Sequence, residues 1–248
     1  MTDIGPIITT SIKNNFRIKV AVITSIIVIL ICAIGIALTF CLLFIAPETA
    51  AKSPDISRLE LYLSLIMYIT CLLGVGVNLN AFAFQSMTRE KSRGIIESLL
   101  ATPLKVKDIW IAKSLAVFLP GLVLGEVFAF IALIAINYIY FVPSIGFLVT
   151  PWMVLSSFVA APLIYLCLSL LVHLVGLAGK PATGNVIIQI LLPVIITLMI
   201  NLIVRNVLDA ASWTFTLANL GIAAIVGIIV IVLQPRLTRE RIVLSLRS

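Results

Sequence analysis

Between Val20 and Ala46 the chain runs for 27 residues without an Asp, Glu, Lys or Arg. A helix crosses about 30 Å of hydrocarbon with roughly 20 apolar residues. The run is therefore long enough to span a membrane and too apolar to sit in water. Five more apolar runs follow at 61–84, 114–139, 153–178, 186–204 and 214–233, the second of them interrupted only by Glu126. The stretch from Val127 to Gly179 carries no formal charge and is too long for one helix. Pro143, Gly146, Pro151 and an aromatic cluster divide it at Tyr140–Trp152, as a turn at the interface does. None of the runs has the alternating, roughly ten-residue pattern of a barrel. The expectation is an all-α membrane protein with six transmembrane helices in one domain, residues 1–248. Composition agrees: the chain is 62% hydrophobic and 11% charged, against roughly 45–50% and about 25% in soluble domains. A secreted protein, a cytosolic enzyme and a disordered chain are excluded.

Lys and Arg in the connections set the orientation. Segments 1–19, 85–113, 179–185 and 234–248 hold 14 of them, and segments 47–60, 140–152 and 205–213 hold 3. The first set is expected to be cytoplasmic, with both termini inside. The net charge of +7 reflects this bias and an attraction to anionic membrane lipid, not a nucleic-acid partner. The first span is expected to stay as an anchor, because its apolar run exceeds the roughly 7–15 residues of a cleaved signal peptide. Before it, Ile4, Ile8, Ile12 and Phe16 recur every four residues, beside Lys13, Arg17 and Lys19. That pattern suits a helix lying in the headgroup layer, with a disordered tail as the alternative. Cys32, Cys41, Cys71 and Cys167 all lie in apolar stretches and read as reduced structural residues.

The polar information is concentrated between the second and third spans. Residues 85–113 hold six of the 17 basic residues and three of the ten acids. Ile95, Ile96, Leu99 and Leu100 share one face of a short helix, on which Arg93 and Glu97 are i, i+4 neighbours. Thr102-Pro103 ends that helix and is expected to start the next, as N-cap and first helical residue. An amphipathic elbow of this kind can lie on the bilayer, pack on its own bundle, or dock into a partner.

The string Arg89-Glu90-Lys91-x-x-Gly94-x-x-Glu97-x-Leu99-Leu100-x-Thr102-Pro103-Leu104, with Lys113 heading the next span, resembles the signature of permease subunits of ATP-binding-cassette (ABC) transporters of the type-2 exporter class. Ser92 stands where that pattern usually has an acid, and Ile95-Ile96 where it has Thr-Leu. The resemblance extends to topology: an N-terminal interfacial helix, six spans and both ends inside. It implies a multi-pass protein of a prokaryotic plasma membrane whose elbow is a coupling helix. That helix would dock into a separate ATPase subunit. By position Arg89, Glu90, Arg93, Gly94, Glu97, Leu99 and Leu100 would carry the docking, and Thr102 and Pro103 would set the elbow. A second permease is implied as well. The chain has no phosphate-cradling loop of its own, since the nearest match has Leu174 for the first Gly and Pro181 after Gly179-Lys180. ATP and Mg would be held by the partner, and this chain would not be an enzyme.

Within the spans, Glu126 is the only Asp or Glu, and it directly follows Gly121-x-x-x-Gly125, a close-packing signature. It reads as a polar group on a dimer seam or translocation path, or as a structural acid. Asn78 and Asn80 bond to neighbouring helices or line the inner mouth of a path. His173 reads as a satisfied interfacial histidine. Pro120, Pro162 and Pro193 are expected to kink their spans or lie near their ends. The basic tail Arg236–Arg247 is expected against lipid or the partner. An ion-coupled carrier and a membrane assembly scaffold are the competing functions; the substrate is not legible.

Overall fold

The computed structural model describes residues 4–17, 19–205 and 207–246, so Arg247 of the tail lies outside the described residues. Among them every regular element is a helix, with no strand. Helix α1 is Gly5–Phe16. Helix α2 is Lys19–Phe40, carried on by a π turn at Cys41–Ile45 and a last turn at Ala46–Thr49. Then follow α3 (Ile56–Ser92), α4 (Ile95–Leu100), α5 (Val106–Ile136), α6 (Pro151–Ala178), α7 (Pro181–Val204), α8 (Trp213–Leu233) and α9 (Arg239–Leu246). Six of these, α2, α3 and α5–α8, are long and apolar enough to cross a membrane.

The helices outrun the apolar segments that announce them. The 37 residues of α3 extend about 55 Å, well beyond the ~30 Å of hydrocarbon. Asp55 caps its start by accepting from the amides of Ser57 and Arg58. Pro181 stands in the first turn of α7, where its missing N–H is no loss, so that helix begins at 181 and only Gly179 and Lys180 separate it from α6. The expected connection of 179–185 is thus shorter. Pro6 does the same for α1, and the N-terminal segment is helical. Pro120 and Pro193 lie inside α5 and α7, whereas a π turn at Ser156–Ala160 precedes Pro162 in α6.

Helices α3 and α6 form the centre. Of their most apolar windows 61% is buried, against 17% for α2 and α7, which present their side chains outward. The closest crossing is between α3 and α5: a Cβ on Gly74 would stand 2.2 Å from the Gly125 Cα. Two glycines are what allow the backbones to meet there. Gly121 packs in the same crossing, against Asn78. Both members of the Gly121-x-x-x-Gly125 pair, candidates with Glu126 for a pathway or a dimer seam, pack against α3 of the same chain. A buried Tyr68–Asn219 hydrogen bond joins α3 to α8.

Candidate functional site

Helix α1, the elbow around α4, the α6–α7 turn and α9 all meet at one end of the bundle. Helix α3 stops at Ser92, and Gly94 then takes φ 68°, ψ 13°. A left-handed residue ends a helix cheaply only when it lacks a Cβ. The turn throws the chain into α4, which buries Ile96 and Leu100 in the main core, with Leu99 packed against it. Glu97 and Ser98 are left exposed. The Thr102 hydroxyl then donates to the Leu99 carbonyl at 2.6 Å, closing α4. From α9, the Arg239 guanidinium donates to the Leu104 carbonyl at 2.8 Å and so braces the outer side of the loop.

Beneath the elbow lies a buried polar layer. Lys113 Nζ is 2.6 Å from Glu90 Oε1 and donates to Ser11 Oγ at 2.9 Å. One ammonium thereby joins α5, α3 and α1. The next residue along α3, Lys91, donates to the Gly179 carbonyl at 2.6 Å and to Ser245 Oγ at 2.8 Å. It holds the α6–α7 turn and α9 as Lys113 holds α1. Deeper in, Trp110 Nε1 donates to the Leu170 carbonyl, and Ser169 donates to the Ser114 carbonyl. His173 Nδ1 lies 2.8 Å from the Ser169 carbonyl oxygen, while its Nε2 is buried without a partner among the described residues. This histidine is buried in the bundle and only half satisfied.

The sequence-predicted docking residues divide into two groups. Arg89, Arg93, Glu97 and Pro103 are exposed, and Gly94, Leu99 and Thr102 are partly covered. Glu90 and Leu100, at 6% and 8% exposure, face the bundle and are not free to meet a partner. The reason is the layer just described: Glu90 is spent on Lys113, and Leu100 on the core. Two further expectations are corrected. Arg93 and Glu97 do not share a helix, because Gly94 breaks it between them, and they form no ion pair among the described residues. Thr102 caps the end of α4 and not the start of α5, which opens at Val106 behind Lys105 with Asp108 in its first turn.

The intramembrane candidates do not converge on the elbow or on each other. The Asn78 amide donates to the Val117 carbonyl at 2.5 Å, tying α3 to α5. Asn80 is exposed, at the edge of a groove of about 230 Å³ between α3, α6 and α7 that Tyr165 and Met199 also line. Glu126 is half-buried one residue from the glycine crossing, with no hydrogen bond or ion pair among the described residues.

Lys91, Ser11 and Arg239 escape a reading of the sequence, since their roles depend on contacts between distant segments. The one available signal was Lys113, a cation at the head of an apolar span. No known family model matches the chain, and neither a curated protein nor a solved structure does.

Proposed function

We propose that this chain is the membrane-spanning permease subunit of an ABC exporter of the type-2 class, driven by ATP hydrolysis on a separate ATPase subunit. The observation that carries the reading is α4: a short helix held on the end of a six-helix bundle, outer side bare, with the family-like string running through it. A docking element has to be accessible on one side and stiffly joined to the spans on the other. Glu97 and Ser98 provide the accessible side. Ile96 and Leu100 in the core, with Glu90 and Lys91 bonded at the foot of α3, provide the joint. Force applied to α4 would pass to α3 through Gly94 and to α5 through the 101–105 loop. The partner would hold ATP and Mg, and this chain would do no covalent chemistry. The elbow end would face the cytoplasm of a prokaryotic cell. A second permease, identical or different, would complete the pathway.

The test is co-purification. The chain is expressed with its neighbouring genes, extracted gently, and its stoichiometric partners identified. An ATPase is expected, and Glu97→Arg, on the bare side of α4, is expected to lose it while the bundle stays folded. Intact complexes without any ATPase would overturn the reading.

A second reading, the ion-coupled carrier, is favoured by one observation only: Glu126, an acid without a partner among the described residues in a membrane-length helix. A membrane scaffold has no such observation behind it.

A further inference from the structure

We propose that the cleft between α1 and the end of α3 binds the phosphate of an anionic phospholipid headgroup. The cleft is lined by Asn14, Asn15, Ser86, Arg89, Arg93 and Ile95, with Glu90 at its back. Arg89 lies in the last turn of α3 and Arg93 caps its end, four residues on, and both are exposed. Neither makes an ion pair or a side-chain hydrogen bond among the described residues. The Glu90 charge is already answered by Lys113 at 2.6 Å, so the cleft carries two uncompensated positive charges. Two guanidinium forks offer the planar donor pairs that suit a phosphate.

Asn15 is the second, independent observation. It is only 8% exposed, it lines this cleft, and its side-chain amide has no hydrogen-bond partner among the described residues. The Asn15 amide is not among the fully buried side-chain atoms left without a partner, so it still opens onto the cleft and is available to a ligand seated there. A phosphate oxygen held by Arg89 and Arg93 would accept its hydrogen bond.

Depth selects lipid over free phosphate. The apolar run of α3 ends at 84, and Arg89 lies five residues on, about 7 Å further along the axis, at the level of the headgroups. The other wall of the cleft is α1, which carries Lys13 and is capped by Arg17. This inference is separate from the docking of an ATPase on the bare side of α4.

The experiment uses the full chain purified in detergent, titrated with phosphatidylglycerol and followed by native mass spectrometry. Phosphatidylcholine and inorganic phosphate are the comparison probes. The wild type is expected to retain phosphatidylglycerol in preference to phosphatidylcholine. Arg89→Gln with Arg93→Gln is expected to weaken it about tenfold or more. Asn15→Ala, which removes no charge, is expected to weaken it several-fold. Arg89→Lys with Arg93→Lys should fall between, because the charge stays and the fork is lost. Lys105→Gln with Lys107→Gln removes the same charge from the other side of the elbow and should change nothing. Equal loss in both neutralised pairs would reduce the cleft to diffuse attraction and overturn the proposal. Displacement by inorganic phosphate as readily as by lipid would overturn the lipid occupant. An Asn15→Ala chain that binds like the wild type would also sink the site as drawn.

Discussion

The Lys113 ammonium lies 2.6 Å from the Glu90 carboxylate, and the two belong to the helices that enter and leave the elbow. Both are at least nine-tenths buried. Removing one partner of such a pair strands a charge and typically costs about 3–5 kcal/mol, whereas an apolar pair of similar volume is often neutral. Lys113→Met alone is therefore expected to lower the melting temperature in detergent sharply, since it also leaves Ser11 Oγ without its donor. Adding Glu90→Leu should recover most of the loss. A double variant no more stable than the single one would show that the pair does not brace the elbow.

Gly94 tests the turn itself. A Cβ there would meet nothing closer than Glu97 Oε2 at 3.6 Å, so a substitution strains the backbone and not the packing. Gly94→Ala should cost roughly 1–2 kcal/mol and Gly94→Asn less, because Asn tolerates the left-handed region. Thermal unfolding ranks the three chains, and partner retention is expected to fall in the same order. Equal stability for Ala and Asn would mean that α4 turns in some other way.

The glycine crossing is the sharper stability test. At Gly125 an added Cβ would come within 2.7 Å of the Cys71 carbonyl oxygen, while at Gly35 nothing lies within 4 Å. Gly125→Ala is expected to push α3 from α5 and destabilise by about 1–3 kcal/mol. Gly35→Ala, in an open helical position, should be neutral or gain up to about 1 kcal/mol. Similar melting temperatures for the two variants would refute the crossing.

Glu126 separates the two functional readings. Glu126→Gln keeps the shape and removes the charge from a half-buried site, so stability should stay within about 0.5 kcal/mol of wild type. Under the ABC reading ATP-driven transport survives the change. Loss of transport together with loss of its pH dependence would favour the ion-coupled carrier.

Six helices were legible because an apolar run of membrane length has few other solutions. Where each helix stops was less so. Pro181 reads as a breaker until it is placed in a first turn, and α3 continues past 84 into charged residues because Glu90 and Lys91 find partners 23 and 88 residues away. The elbow string falls where α3, α4 and α5 follow one another around Gly94. It could not say which residues face outward. Spacing put Arg93 and Glu97 on one helix, and a positive φ at Gly94 separates them. Gly121-x-x-x-Gly125 announced close packing without naming the partner, which is α3 of the same chain.

The elbow end was assigned to the cytoplasm on the distribution of Lys and Arg, which predicts opposite labelling at Lys105 and Ser53. Both are exposed: Lys105 just before α5 and Ser53 in the connection between the first two spans. The four native cysteines lie within the spans and should be shielded from a charged maleimide in intact cells. Ser53→Cys should therefore label in intact spheroplasts. Lys105→Cys should label only once the membrane is opened, and a cytosolic ATPase docked on the elbow should slow it further. The reverse pattern would put the elbow outside, beyond the reach of any cytosolic ATPase, and the permease reading would fall with it.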